Sequence, residues 1–175
     1  GICRMKNTIR IHNLKSGEME FSVKNEHLTL ILCSFHQKNI DAKVRIRLVK
    51  SGASATIIGV IIASGDGNIR LHTMQQHEAP DTTSNLLIKT ALDGNAQCII
   101  DGGIRVEKSA QKTDAYQRNE NLLLSKSAHA ESKPSLEILA NDVRCTHGAT
   151  VGPVSEEELW YLGTRGITKP VAKSL

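Results

Sequence analysis

The first 150 residues of this chain hold no helical pattern of ten residues or more, yet strand-like runs and turn residues alternate along all of them. Val44, Ile46 and Leu48 alternate with Arg45 and Arg47, the period of a strand buried on one face. Comparable runs occupy 8–12, 28–32, 56–62, 69–74, 85–88 and 97–100. More follow at 104–107, 121–124, 136–139 and 143–145. Between them stand Ser16-Gly17, Ser51-Gly52, Gly65-Asp66-Gly67-Asn68, Asp93-Gly94-Asn95 and Asp101-Gly102-Gly103. These residue types tolerate positive φ, so the pattern predicts short strands with frequent bends.

An internal similarity narrows the architecture. The segment 85–91 resembles 121–128, and Ile104-Arg105-Val106 resembles Val143-Arg144-Cys145 further on. Ala91, Ala110, Ala128 and Ala149 recur at spacings of 19, 18 and 21. A strand-and-turn repeat near twenty residues predicts one coil of a β-solenoid, with a β-sandwich as the alternative. Stacked coils need thin, regular layers, and only 3% of the residues are aromatic. After Pro153 the pattern changes. Ser155 and Glu158 have the spacing of a helix-capping box, followed by Leu159, Trp160 and Leu162. The expected division is a β-helix core over 1–152 and the truncated start of a helical segment over 153–175. The stretch from Lys169-Pro170 onward reads as too short and polar for a further element.

Charge and composition exclude several functions. The net charge is +4, and acidic and basic residues interleave. With so few aromatics to stack bases, nucleic acid is not an expected partner. The longest apolar stretch, 53–63, is too short to span a bilayer, and no leader pattern opens the chain, so no membrane role is expected. Cys3, Cys33, Cys98 and Cys145 are spread without a CxxC pair, the usage of a reducing compartment such as the cytoplasm.

Few residues suggest chemistry. No phosphate-binding GxxxxGK[ST] loop or GxSxG nucleophile elbow is present. Cys145 and His147 are two apart, so on a strand they share a face and offer soft ligands to a metal. Two ligands do not complete a site, and the plain alternative is an inward Cys beside a turn His. Cys33 with His36 reads as a small core thiol ending an apolar run, and His72 and His77 as solvated or turn residues. Glu156 to Glu158 are accounted for by helix capping, and Lys112-Thr113-Asp114 reads as a solvated connection.

Longer motifs are more specific. Residues 110–117 (AQKTDAYQ) with 121–125 (NLLLS), 133–138 (KPSLEI) and 142–152 (DVRCTHGATVG) resemble the SufB/SufD family of iron–sulfur assembly proteins. Residues 158–162 and 164–167 continue the likeness, and Ser51-Gly52-Ala53, His77-Glu78-Ala79-Pro80 and Thr83-Ser84 fit it more loosely. The resemblance covers about 44–167, and its Cys145-Thr146-His147-Gly148 stretch is similar to the SufD branch. It implies an all-β fold, a right-handed parallel β-helix with a short C-terminal helix. It also implies a non-catalytic scaffold in the cytoplasm, or in the plastid stroma of a photosynthetic eukaryote. The implied partners are a SufB-like subunit, paired through the β-helices, and a SufC-like ATPase bound by the C-terminal helices. A homodimer is the expected stand-in for that pair in isolation. His147, with Cys145 beside it, is implied to contact a nascent iron–sulfur cluster at the subunit interface, and no cofactor is expected in the chain alone. Residues 168–175 look unlike the helical segment of the family, so ATPase docking is not expected of them. A hexapeptide-repeat acyltransferase with a catalytic His, or a purely structural solenoid, are the readings from other classes. The acyltransferase needs a strict six-residue repeat, and the solenoid needs open ends, one of which the helix from Ser155 is expected to cover.

Overall fold

The computed structural model describes residues 6–174. Its elements are β1 (Lys6–Asn13), β2 (Gly17–Val23), β3 (Glu26–Phe35), β4 (Asn39–Leu48), β5 (Ser54–Ala63) and β6 (Asn68–His77). They continue with β7 (Thr83–Leu92), β8 (Gln97–Val106), β9 (Thr113–Leu123), β10 (His129–Ile138) and β11 (Val143–Pro153). Two helices follow, α1 (Glu156–Thr164) and α2 (Lys169–Ser174).

Odd and even strands separate completely. The six-stranded sheet has the order β1-β3-β5-β7-β9-β11, and the five-stranded sheet β10-β8-β6-β4-β2. Every pairing is parallel, for instance Ser54 with Thr83, then Thr83 with Asp114. The chain therefore winds as a β-solenoid of about five turns, as the sequence and its resemblance predict. The alternation explains it. In β4, Ile40, Ala42, Val44, Ile46 and Leu48 are buried while Asp41, Lys43 and Arg45 face water. In β5 the inward set is Ala55, Ile57, Gly59, Ile61 and Ala63. The two inward faces meet in a core of Leu, Ile, Val and Ala, where Phe21 is the one buried aromatic among the described residues.

The coil is longer than the alanine spacing predicts. Neighbouring coils are 29 residues apart from Ser54 to Thr83 and 31 from Thr83 to Asp114. The four alanines hold unlike positions: Ala91 and Ala149 lie on strands, whereas Ala110 and Ala128 lie in turns. Ile104-Arg105-Val106 and Val143-Arg144-Cys145 fall in different sheets and are not equivalent. A coil with two flat faces is also unlike a hexapeptide-repeat solenoid, whose short period has no counterpart here.

The strands are longer than the runs that signalled them. Gly102 and Gly103 do not form a turn but continue β8, joining two expected strands into one. A Cβ at Gly102 would lie 1.8 Å from Nε2 of Gln117, so the bare backbone makes room for that side chain. Gly94 is a true turn glycine, with φ +65°, stacked on the Gly65 turn of the coil before, where Asn95 donates to Asp66 at 3.0 Å. Thr113 is buried and opens β9, so 112–114 is not a solvated connection.

The helix α1 starts as predicted. Ser155 accepts from the Glu158 amide at 3.1 Å, and the Glu158 carboxylate accepts from the Ser155 amide at 3.0 Å. The Ser155 amide, and its hydroxyl at 2.8 Å, both donate to the Glu158 carboxylate and hold it below its usual range. Contrary to expectation, residues 169–174 form a second helix, and Lys169 reaches back to Glu156 at 2.7 Å.

Candidate functional site at the last coil

The two candidate residues lie on β11, which among the described residues pairs with β9 alone and leaves its other edge open. Cys145 stands beside Ala115 and His147 beside Gln117, both inward-facing positions of β9. The shared face predicted from their spacing is therefore observed, and it is the inner one. His147 sits within the strand and not in a turn, because β11 runs on to Pro153.

Their environments differ. Cys145 is half-buried and packs with Val143 on Ile104, Val106, Ala110, Ala115 and Ala140. Burial pushes its thiol above the ordinary range, the Asp114 charge adds to this, and a backbone hydrogen bond at Ala115 partly opposes it. His147 is exposed. On the outer face Arg144 donates to Asp114 at 3.1 Å, and this bond holds the Asp114 carboxyl low.

The site is an open end. β10 pairs only with β8, and by that register Leu136 and Ile138 occupy the inward positions of Ile104 and Val106. Yet they are 40% and 39% exposed, because no further coil among the described residues covers them. The helix α1 packs on α2, and its Glu158 borders a cleft with Leu122, Val151 and Gly152 at the C-terminal ends of β9 and β11. From Cys145 to Pro153 the strand has no acidic residue, Lys or Arg.

Beneath the last coils the interior turns polar. His77, which the sequence suggests to be solvated or in a turn, is fully buried on β6. Its Nδ1 lies 2.8 Å from the Thr82 hydroxyl and its Nε2 2.8 Å from that of Ser84. Burial lowers its pKa to about 4. Gln75 donates to Ser84 at 2.6 Å, and Asn121 donates to the carbonyl of Thr150 on β11 at 3.1 Å. The family resemblance touches His77 and Ser84, but strand periodicity does not mark the set as buried, because Thr73, Gln75 and His77 alternate with His72, Met74 and Gln76 without an apolar side. His72 also lies on β6, facing outward with Nδ1 3.0 Å from Asp101. Cys33 is not a core thiol but an outward, half-buried residue of β3, and His36 lies beyond the strand end at φ +53°. Cys3 lies outside the described residues.

Among the described residues no three His, Cys, Asp or Glu side chains gather as a metal site, so Cys145 and His147 are at most half of one. No helix among the described residues is long and apolar enough to cross a membrane.

Comparison with known proteins adds the context. The family model for the SufBD core domain of the SUF system of FeS cluster assembly matches residues 7–175. The match extends beyond the range of the sequence resemblance at both ends, and it includes residues 168–175. The iron–sulfur cluster assembly protein SufD of Escherichia coli is 40% identical over 103 residues, which are 59% of this chain and 24% of that protein. A SufBD family iron–sulfur cluster assembly protein of Synechocystis is 40% identical over 96 residues, 55% of this chain and 21% of its own length. The chloroplastic protein ABCI7 of Arabidopsis thaliana is 40% identical over 79 residues, 45% of this chain and 17% of that protein. The chain thus spans about a quarter or less of the length of these relatives. A two-sheet parallel solenoid, matched along nearly its whole length by one family model, belongs to the SufBD core-domain family of the SUF iron–sulfur cluster assembly system, with SufD among its 40% identical relatives.

Proposed function

We propose that this chain is a non-catalytic scaffold of iron–sulfur cluster assembly that works through its last coil. The open end at β10 and β11 joins a SufB-like subunit, strand edge to strand edge. Cys145 and His147 then face the seam and offer a thiolate and an imidazole to a nascent cluster, which is cargo and not a resident cofactor. The observation that carries this reading is the uncharged, unpaired edge of β11 with both soft ligands on its inner face. A tetrahedral iron needs more donors than one chain brings together, and a second subunit at the seam supplies them. The raised pKa of Cys145 suits this role, because the thiol stays protonated until a metal displaces the proton. A SufC-like ATPase completes the assembly, in the cytoplasm or plastid stroma, and two copies of this chain pair at the same edge when no SufB-like subunit is present.

The test is co-expression with a SufB-like subunit and a SufC-like ATPase, followed by anaerobic iron and sulfide analysis. His147→Ala and Cys145→Ser are expected to lower iron and sulfide loading at least fivefold. The melting temperature of His147→Ala should stay within a few degrees, since its side chain is exposed. Normal loading in both variants would overturn the role of the two residues.

A further inference from the structure

The polar interior of the late coils holds more acceptors than its own donors satisfy. Five side-chain oxygens are fully buried with no hydrogen-bond partner among the described residues. Ser34 stands apart on β3, and the other four are Thr73 Oγ1, Gln75 Oε1, Gln117 Oε1 and Asn119 Oδ1. Their residues are at most 3% exposed and take inward positions two apart, Thr73 and Gln75 on β6, Gln117 and Asn119 on β9. The two pairs meet across the interior. Gln75 donates to the carbonyl of Tyr116, the residue before Gln117, at 3.3 Å. The Gln117 amide lies over Gly102, where a Cβ would be 2.8 Å from Oε1, and Gly102 is the register neighbour of Thr73.

The donors around these oxygens are already engaged. Gln75 gives its amide hydrogens to Ser84 and Tyr116. Thr82 and Thr113 donate to the carbonyls of Ala79 and Ala110, at 3.1 and 2.9 Å. With Thr82 so engaged, His77 donates to it from Nδ1 and accepts from Ser84 at Nε2. The Asn121 amide reaches Ser132 and the carbonyl of Thr150. Turning an amide end for end changes nothing, because an orphan nitrogen then stands where the orphan oxygen was.

We propose that the layer between β6 and β9 is an internal binding site for water, holding at least two molecules as fixed parts of the fold. Three orphan amide oxygens need three donated hydrogens, and one water carries two. The Thr73 hydroxyl joins the same waters as donor or acceptor. A bare cation is the other ligand that amide oxygens suit. No Asp or Glu of β6 to β9 points inward to balance its charge, so the neutral ligand is favoured. The site lies beside the open coil, since Gln117 is the register partner of His147. It needs neither a cluster nor a second subunit, and so it stands apart from the function proposed above.

Oxygen-17 magnetic relaxation dispersion of water on the 175-residue chain tests it, because it counts molecules held inside for longer than the protein tumbles. At least two such waters are expected in the parent chain. Gln117→Met keeps the length of the side chain and removes one acceptor, so the variant is expected to lose at least one of them. Thr73→Val makes the same test with almost no change of shape, and it serves if circular dichroism melts show Gln117→Met to be unfolded. No long-lived water in the parent, or the parent's number retained in the folded variants, would overturn the proposal. So would a melting temperature several degrees higher in KCl or NaCl than in choline chloride at equal ionic strength, which would assign the oxygens to a metal cation instead.

Discussion

The first and last coils of this solenoid end in opposite ways. On β1 the inward positions are Thr8, Arg10 and His12, in register with Leu28, Leu30 and Leu32 of the next coil. Arg10 lies over the ring of Phe21, 5.8 Å from its centre, and His12 meets the same ring edge-on at 5.3 Å. The hydrocarbon beneath is thereby closed by groups that remain hydrated. An inward charge on an edge strand also deters another strand from adding to the sheet. On β10 and β11 the inward positions include Leu136, Ile138, Cys145, His147 and Val151, and no Asp, Glu, Lys or Arg points inward there. The interior follows the same gradient, from leucine and isoleucine in the early coils to His77, Gln75, Gln117 and Asn119 in the late ones. Among the described residues, the first edge strand turns a charge inward and the last ones turn none.

The sharpest test of this difference uses two cysteines that both face inward. Cys98 on β8 is sealed by β6 and β10, and burial pushes its thiol up to about 12. Cys145 has no coil beyond it. Alkylation under native conditions is expected to modify Cys145 at least about 100-fold faster than Cys98, since the thiolate reacts and only the open end admits the reagent. Similar rates, followed by peptide mass spectrometry, would mean that the last coil opens no more than the interior does.

Acid should act next most strongly, through the polar half. The His77 pKa falls from about 6.5 in the unfolded chain to about 4 in the fold, so the folded state resists protonation. Stability is then fully present above about pH 6.5 and is lost as pH falls towards 4, by up to about 3 kcal/mol. Denaturant titrations across that window should show the decline. His77→Gln should flatten its slope, whatever the absolute stability of the variant. An unchanged slope would assign the acid sensitivity to other groups.

Much of the fold is legible in the sequence because inward and outward residues alternate so strictly, as Val44 to Leu48 show. The coil length is not, because turn alanines such as Ala110 and strand alanines such as Ala91 look alike and fill different layers. Gly102 and Gly103 look like a turn, but one of them makes room for Gln117. Of the site, the common face of Cys145 and His147 follows from period two alone. That this face is the inner one of an uncovered coil does not, since it depends on where the winding stops. The buried His77 network is invisible for a related reason: a polar alternation does not say which side is covered.

Giving the last coil the protection of the first is the third test. Val151→Lys or Ile138→Lys places an inward charge at the open end, as Arg10 does at the other. Pairing at that edge should weaken by about 2 kcal/mol, about thirtyfold, with little change in melting temperature. Undiminished pairing in both variants would show that the seam lies elsewhere.

The smallest effect is expected from the reverse change, Arg10→Leu. The substitution leaves β1 in place, because its pairing with β3 is made by the backbone and its neighbours Thr8 and His12 remain. What it removes is the cation over Phe21, a contact worth about 0.5–1 kcal/mol at an exposed site, and the hydration that kept this edge solitary. The stability change should therefore stay below about 1 kcal/mol, since leucine also covers the ring. Association should change more visibly. A leucine beside Phe21 makes the first end resemble the last, so self-association should strengthen by up to about tenfold, near 1.4 kcal/mol. Light scattering against concentration, for Arg10→Leu beside the parent chain, reads this directly. If the variant associates no more than the parent, the inward arginine is not what keeps the first coil from pairing, and backbone twist at β1 becomes the candidate cause.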